Sequence, residues 1–156
     1  MKKLLLFAAV VLIASCKDDE QPTPASTEQT DQQKIDFFQG KKWFLAYAKS
    51  HNDSTGEVIE NATAGDPEYL KDDYYEFSSN KTYKFDDNDM LRPNATTNIV
   101  DTGTWSFSNS VLTMTSSKMA KTYPMTIFKV TADVMEAELS VPERKMTLRY
   151  TFKTIR

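Results

Sequence analysis

The sequence is poor in the residues that staple a fold or build a metal site. Its 156 residues include one cysteine, four glycines and one histidine. A lone cysteine excludes an intrachain disulfide, so the core alone must hold the fold. The single histidine, His51, sits in a polar stretch with no partner nearby for a histidine-rich zinc or haem site or for a Ser-His-Asp triad. No metal or cofactor is expected. The longest apolar run, Leu4–Ile13, is about half the ~20 residues a membrane-spanning helix needs. Basic residues form no stripe and the formal charge is −3, which argues against a nucleic-acid partner. Aromatics are abundant, with nine Phe, seven Tyr and two Trp. Beyond the first forty or so residues, that supply is enough to bury one core and too little for two domains.

Met1-Lys2-Lys3 and the apolar run that follows have the form of a cleavable export leader. The run ends in Ile13-Ala14-Ser15-Cys16, which resembles the bacterial lipobox. That resemblance implies a signal peptide over residues 1–15, diacylglycerol joined to the Cys16 thiol as a thioether, and cleavage just before it. Small residues beside the cleaved bond let a peptidase reach the backbone. Two or three acyl chains, palmitate among them, make an effectively permanent membrane anchor where one chain is marginal. Losing Lys2 and Lys3 with the leader leaves 17 basic residues against 22 acidic, a net charge of −5.

Lys17-Asp18-Asp19-Glu20 follows at once and resembles the surface-export signal of Bacteroidota-type lipoproteins. It implies a lipid-anchored protein displayed on the outer face of the outer membrane. The alternative is a plain solvated start to a tether, with the protein on the periplasmic face. Gln21–Gln33 carries two prolines, many Ser, Thr and Gln, and no apolar residue larger than Ala25, so residues 16–33 read as lipidated N-terminus and flexible tether. The domain is taken as 34–156.

Within the domain the apolar period is two. Met146, Leu148, Tyr150 and Phe152 alternate with Lys145, Thr147, Arg149, Thr151 and Lys153, the pattern of a half-buried strand. Tyr75 and Phe77 lead through Ser78-Ser79-Asn80-Lys81 to Tyr83 and Phe85, which predicts a hairpin. Gly103, Trp105 and Phe107 lead through Asn109-Ser110 to Leu112 and Met114, which predicts another. Tyr123, Met125 and Ile127 share a face before the phase moves to Phe128 and Val130, as at a bulge. Met135, Ala137 and Leu139 oppose Glu136 and Glu138. The first strand, Lys42–Ser50, is expected to set Trp43, Leu45 and Tyr47 against Phe44, Ala46 and Ala48. A helical turn is expected at Ile35–Phe38, and long loops at His51–Lys71 and Asp86–Asn98. About eight short strands in sequence predict an all-β antiparallel up-and-down meander, for which closure into a barrel removes the vulnerable edges.

Gly40-Lys41-Lys42-Trp43, Asp72–Phe77 with Lys81-Thr82-Tyr83, Thr102-Gly103-Thr104-Trp105 with Leu112-Thr113-Met114, and Tyr150-Thr151-Phe152 occur in an order and spacing similar to the lipocalin-like domain of small bacterial lipoproteins. The resemblance spans nearly all of Phe37–Ile155. It departs in one place, since members usually have Gly-x-Trp and here an extra Lys intervenes; a cysteine pair common in the loops of members is also absent. It implies a lipocalin-like barrel able to hold one small apolar ligand; with no catalytic motif in the sequence no enzymatic activity is expected, and the domain is expected to be monomeric.

Trp43, Tyr75, Phe77, Tyr83, Phe85, Trp105 and Phe107 are the candidate cavity lining, although the same rings are large enough to fill an eight-strand barrel solid. A continuous apolar void of about 300 Å³ or more favours ligand binding. A filled core with an exposed apolar patch favours a structural protein presenting loops to an envelope or host partner. Asp86-Asp87-Asn88-Asp89 lacks the Gly and distal Glu of an EF-hand loop and reads as a turn with solvated carboxylates. Glu136 and Glu138 fall on a solvent face, not across a cleft as paired glycosidase carboxylates must. Asp53-Ser54-Thr55 resembles an O-glycosylation site at Ser54, and an ordinary turn reads equally well. The Asn61, Asn80 and Asn94 sequons are taken as coincidence.

Overall fold

A computed structural model describes residues 28–60 and 64–154. The leader, Cys16, Lys17, Asp18, Asp19, Glu20, most of the tether and the Asn61 sequon lie outside the described residues. The first element is helix α1 (Asp31–Phe38), begun by a capping box. The Thr30 hydroxyl accepts from Gln33 N and the Gln33 side chain accepts from Thr30 N, which satisfies two backbone donors at the helix start. The helix therefore starts three residues inside the segment read as tether and is two turns long, not one.

The strands are β1 (Lys42–Asn52), β2 (Val58–Ile59), β3 (Tyr74–Phe77), β4 (Thr82–Asp86), β5 (Ile99–Ser108), β6 (Val111–Ser116), β7 (Thr122–Val130), β8 (Val134–Val141) and β9 (Met146–Lys153). A short helix α2 (Glu68–Lys71) and a 3₁₀ turn at Pro142–Arg144 complete the set. All pairings among these strands are antiparallel, from β3 in order to β9, and β9 returns to β1 over Phe44–Asn52. With β1 also paired to β3, the eight long strands close into a barrel. The two-residue β2 is an appendage on the far end of β1, through Ser50 opposite Ile59 and His51 opposite Val58. The expected loop at His51–Lys71 is thus shorter than its sequence suggests, because β1 runs on to Asn52 and both β2 and α2 form within it.

Bulges correct the predicted faces at two places. In β1, Leu45 stands opposite Phe152 and Tyr47 opposite Thr151, so Ala46 is an extra residue. The phase flips there: Trp43 and Ala48 are buried, whereas Tyr47 turns outward and its hydroxyl binds the Glu60 carboxylate. In β7 the expected bulge is present between Ile127 and Lys129, but Phe128 is the extra residue and points out, 52 % exposed, while Val130 returns to the core.

Alternating connections give the barrel two distinct ends, and α1 closes one of them. Asp31 accepts from the backbone N–H groups of Asn109 and Ser110, whose positive φ angles of 52° and 62° make the tight β5–β6 turn. Lys34, almost fully buried, donates from Nζ to Ser110 Oγ at 2.6 Å. Lys41 donates to the Ala132 carbonyl and Gln29 to the Val130 carbonyl, which fastens the segment to the β7–β8 turn. Gly40, at φ +68°, turns the chain into β1 and donates to the Phe77 carbonyl.

Candidate functional site

Phe38 enters the barrel from α1 and determines where its interior is solid. Its ring lies 5.4 Å from Phe77, 5.2 Å from Trp105 and 5.5 Å from Phe107, in edge-on and tilted arrangements. Trp43 donates from its indole N–H to the Phe38 carbonyl at 2.9 Å, and Trp105 donates to the Ser78 carbonyl at 3.1 Å. These bonds satisfy the polar atom of each buried indole, as burial demands. The closed half is a packed floor.

Above the floor lies a cavity of about 570 Å³. It falls in the ~300–1,000 Å³ range of small-molecule sites and exceeds the size set out above for ligand binding. Its walls are mainly aromatic and aliphatic: Tyr75, Phe85, Tyr123, Tyr150 and Phe152 with Leu45, Met114, Met125 and Leu139. Tyr75 stacks on Phe85 at 4.4 Å, 10° from parallel, and meets Phe152 edge-on at 6.1 Å. Met119 lines the cavity and is also 53 % exposed, which marks the mouth on the β6–β7 connection. Arg92 and Lys118 are the cations at this end.

One polar knot sits in the wall. Asp101 accepts from the Tyr83 hydroxyl at 2.7 Å, from the Ser116 hydroxyl at 2.9 Å and from the Thr102 N–H at 2.9 Å. Ser116 in turn accepts from the Met119 N–H, so the knot reaches the mouth. Gly103 makes room for it. A Cβ there would come within 1.9 Å of the Thr115 carbonyl oxygen and 2.7 Å of the Tyr83 ring. Burial, and then the bond to Asp101, push the Tyr83 phenol well above its usual pKa. Burial raises Tyr75 and Tyr150 likewise, so all three stay protonated at neutral pH.

The second long loop is braced from below by carboxylates. Asp72 accepts from the N–H groups of Asp89 and Met90, and Asp87 accepts from Arg92 N. The Arg92 guanidinium pairs with Asp73 and, from Nε at 3.0 Å, with Asp87, and it lies 5.2 Å over the Phe85 ring. Burial pushes Asp73 up to about 6, although Arg92 opposes the shift. The Asp86–Asp89 stretch is therefore not the solvated turn its sequence suggests: Asp86 and Asp87 are buried, because Arg92 and backbone N–H groups replace their water. Among the described residues, no group of three or more His, Cys, Asp and Glu side chains is arranged to hold a metal ion.

The seven candidate rings divide by depth. Tyr75, Tyr83 and Phe85 line the cavity, while Trp43, Phe77, Trp105 and Phe107 belong to or pack against the floor and are absent from its lining. The reason is Phe38, which takes the space those four would otherwise enclose. Ser54 is exposed, its N–H turned onto the Asn52 side chain. His51 is exposed beside Asp53. Glu138 pairs with Arg149 and Glu136 with Lys129, both on the outside of the barrel. Alternation alone missed Asp101, though it continues inward the phase of Gly103 and Trp105; a carboxylate in that phase was a legible sign of a buried polar group. Arg92 had no such sign, since its place depends on two aspartates, Asp73 distant in sequence and Asp87 within its own loop.

A family model described as the lipocalin-like domain matches residues 17–137, more than half of the chain. No curated protein matches it.

Proposed function

The chain belongs to the lipocalin-like domain family, and from that premise we propose that it binds one small apolar molecule, without catalysis, in the open half of its barrel. The observation that carries this reading is the 570 Å³ space walled by Tyr75, Phe85, Leu139 and Phe152. A cavity that size in a barrel otherwise filled to the floor leaves apolar wall without packing partners, a loss that an apolar guest makes good. The competing reading, a solid barrel presenting loops, draws support from the floor and from exposed apolar side chains such as Met90, Leu91 and Ile99, but the cavity speaks against a filled core.

The proposal extends to location. The sequence Ile13-Ala14-Ser15-Cys16 supports lipidation at Cys16, and Lys17–Glu20 supports display on the outer face of an outer membrane, in a bacterium of the Bacteroidota type. Gln29 and Asp31 are bonded to the floor, so an anchor upstream of them would join the pole opposite the mouth. The cavity would then open away from the bilayer.

The test of binding is titration of the chain from Lys17 onward with the uncharged fluorophore N-phenyl-1-naphthylamine. Saturable one-to-one enhancement is expected, strongly reduced by Leu139→Trp, which fills the cavity. Enhancement that never saturates, or that is equal in the variant, would overturn the reading. For the anchor, labelling with radioactive palmitate in a lipoprotein-processing bacterium should mark the native chain and not Cys16→Ala. Equal labelling would remove the anchor claim.

A further inference from the structure

We infer that the guest is an uncharged apolar compound carrying a carbonyl-type acceptor, which the hydroxyls of Tyr75 and Tyr150 bind. This rests on the binding reading above and narrows it. Both tyrosines line the cavity, and among the described residues neither hydroxyl has a hydrogen-bond partner. The other polar side chains of the lining are already engaged. The Tyr83 hydroxyl is spent on Asp101, whose two oxygens already accept three donors. Arg92 is held by Asp73 and Asp87, and the Tyr123 hydroxyl points to Met119 sulfur at 3.6 Å. What the wall still offers is donors, and buried donors call for an acceptor from the guest.

The charge of that acceptor follows from what surrounds Tyr75. Burial first, then Tyr150, and after them Asp73 and Asp101 act on its phenol to keep the proton in place, against Arg92, which acts the other way more weakly. A carboxylate brought to that hydroxyl would meet a negative field in a partly desolvated space, where it costs most. A ketone, ester or amide oxygen takes the same hydrogen bonds without that cost. The stacked Tyr75–Phe85 pair beside it favours a flat or conjugated body over a saturated one.

Three probes of nearly equal shape separate the cases: 2-ethylnaphthalene with no acceptor, 2-acetonaphthone with a neutral one, and 2-naphthoate with an anionic one. Equilibrium dialysis of the chain from Lys17 onward at pH 7.4 should rank 2-acetonaphthone about tenfold tighter than 2-ethylnaphthalene, the scale of two modest hydrogen bonds. The naphthoate should bind weakest. Tyr75→Phe combined with Tyr150→Phe should bring the two neutral probes within about twofold of each other. Should that double variant bind neither probe, the single variants decide, and the inference falls if both retain the full preference. Equal binding of the two neutral probes by the native chain overturns the inference while leaving apolar binding intact. Tightest binding of the naphthoate overturns it in favour of an anion held by Arg92 and Lys118. Binding of none of the three sinks both this inference and the function it rests on.

Discussion

The rings of Tyr75 and Phe85 face one another across β3 and β4 with 4.4 Å between centroids, at the level where the packed floor gives way to open space. Below that level Phe77, Trp105 and Phe107 pack around Phe38, which is 0 % exposed. Above it, Tyr75, Phe85, Tyr150 and Phe152 line the cavity.

That difference in surroundings predicts a difference in cost. Phe38→Ala should lose about 3–5 kcal/mol of unfolding free energy in urea, the range for a fully packed phenylalanine. Phe85→Ala should lose about 1–2 kcal/mol, because part of its surface already lacks packing partners. Equal losses would mean that the space above the floor is not there in solution.

Gly103→Ala should destabilise by about 3 kcal/mol, at the upper end of overpacking costs, since the new methyl collides with the backbone carbonyl of Thr115. The bond from Tyr83 to Asp101 should weaken with it. Thermal unfolding measures the first effect. The second appears as a lower Tyr83 pKa in ultraviolet titration of the phenols, and an alanine variant as stable as the parent would show that β5 and β6 are less close than described.

Asp73 gives a pH dependence of definite sign. Its carboxyl is raised from 3.8 to about 6 in the fold, chiefly by burial. Well below pH 3.8 the group is neutral in both states and costs nothing; as pH rises from there through 6 the unfolded chain ionises freely while the folded state must hold a buried charge, and stability is lost. Asp73→Asn should therefore gain on the parent by of order 2 kcal/mol between pH 4.5 and 7. Urea midpoints of the two proteins that stay parallel over that window would refute it.

The helix cap predicts where the domain can be cut. A chain beginning at Glu28 keeps Gln29, Thr30 and Asp31 and should match the longer protein in stability. One beginning at Lys34 loses the Thr30 cap and the Asp31 bonds to Asn109 and Ser110, at about 1–2 kcal/mol. Identical melting curves for the two would show that the floor does not depend on them.

The alternation in β9 and in β5 was enough to predict strands, and in β5 their faces, because there one face is buried and the other wet. In β1 the same reasoning misplaced Tyr47, since a single extra residue at Ala46 reverses every face after it and leaves no mark in composition. The rings were correctly taken as inward, yet their division into floor and wall was invisible. It depends on Phe38, whose arrival through α1 is a tertiary event. Asp86 and Asp87 misled for the opposite reason: four consecutive polar residues look solvated until a distant Asp73 and an arginine five residues on are folded against them.

The seam between β1 and β9 joins the first strand to the last, Leu45 opposite Phe152. Nearly the entire domain must be present before that seam can be made, and pairing over so long a loop is slow. A chain stopped short of β9 would leave the edges of β1 and β8 both bare, each ready to recruit a strand from a neighbour. Pairing of β9 with both β1 and β8 is thus what covers those two edges at once.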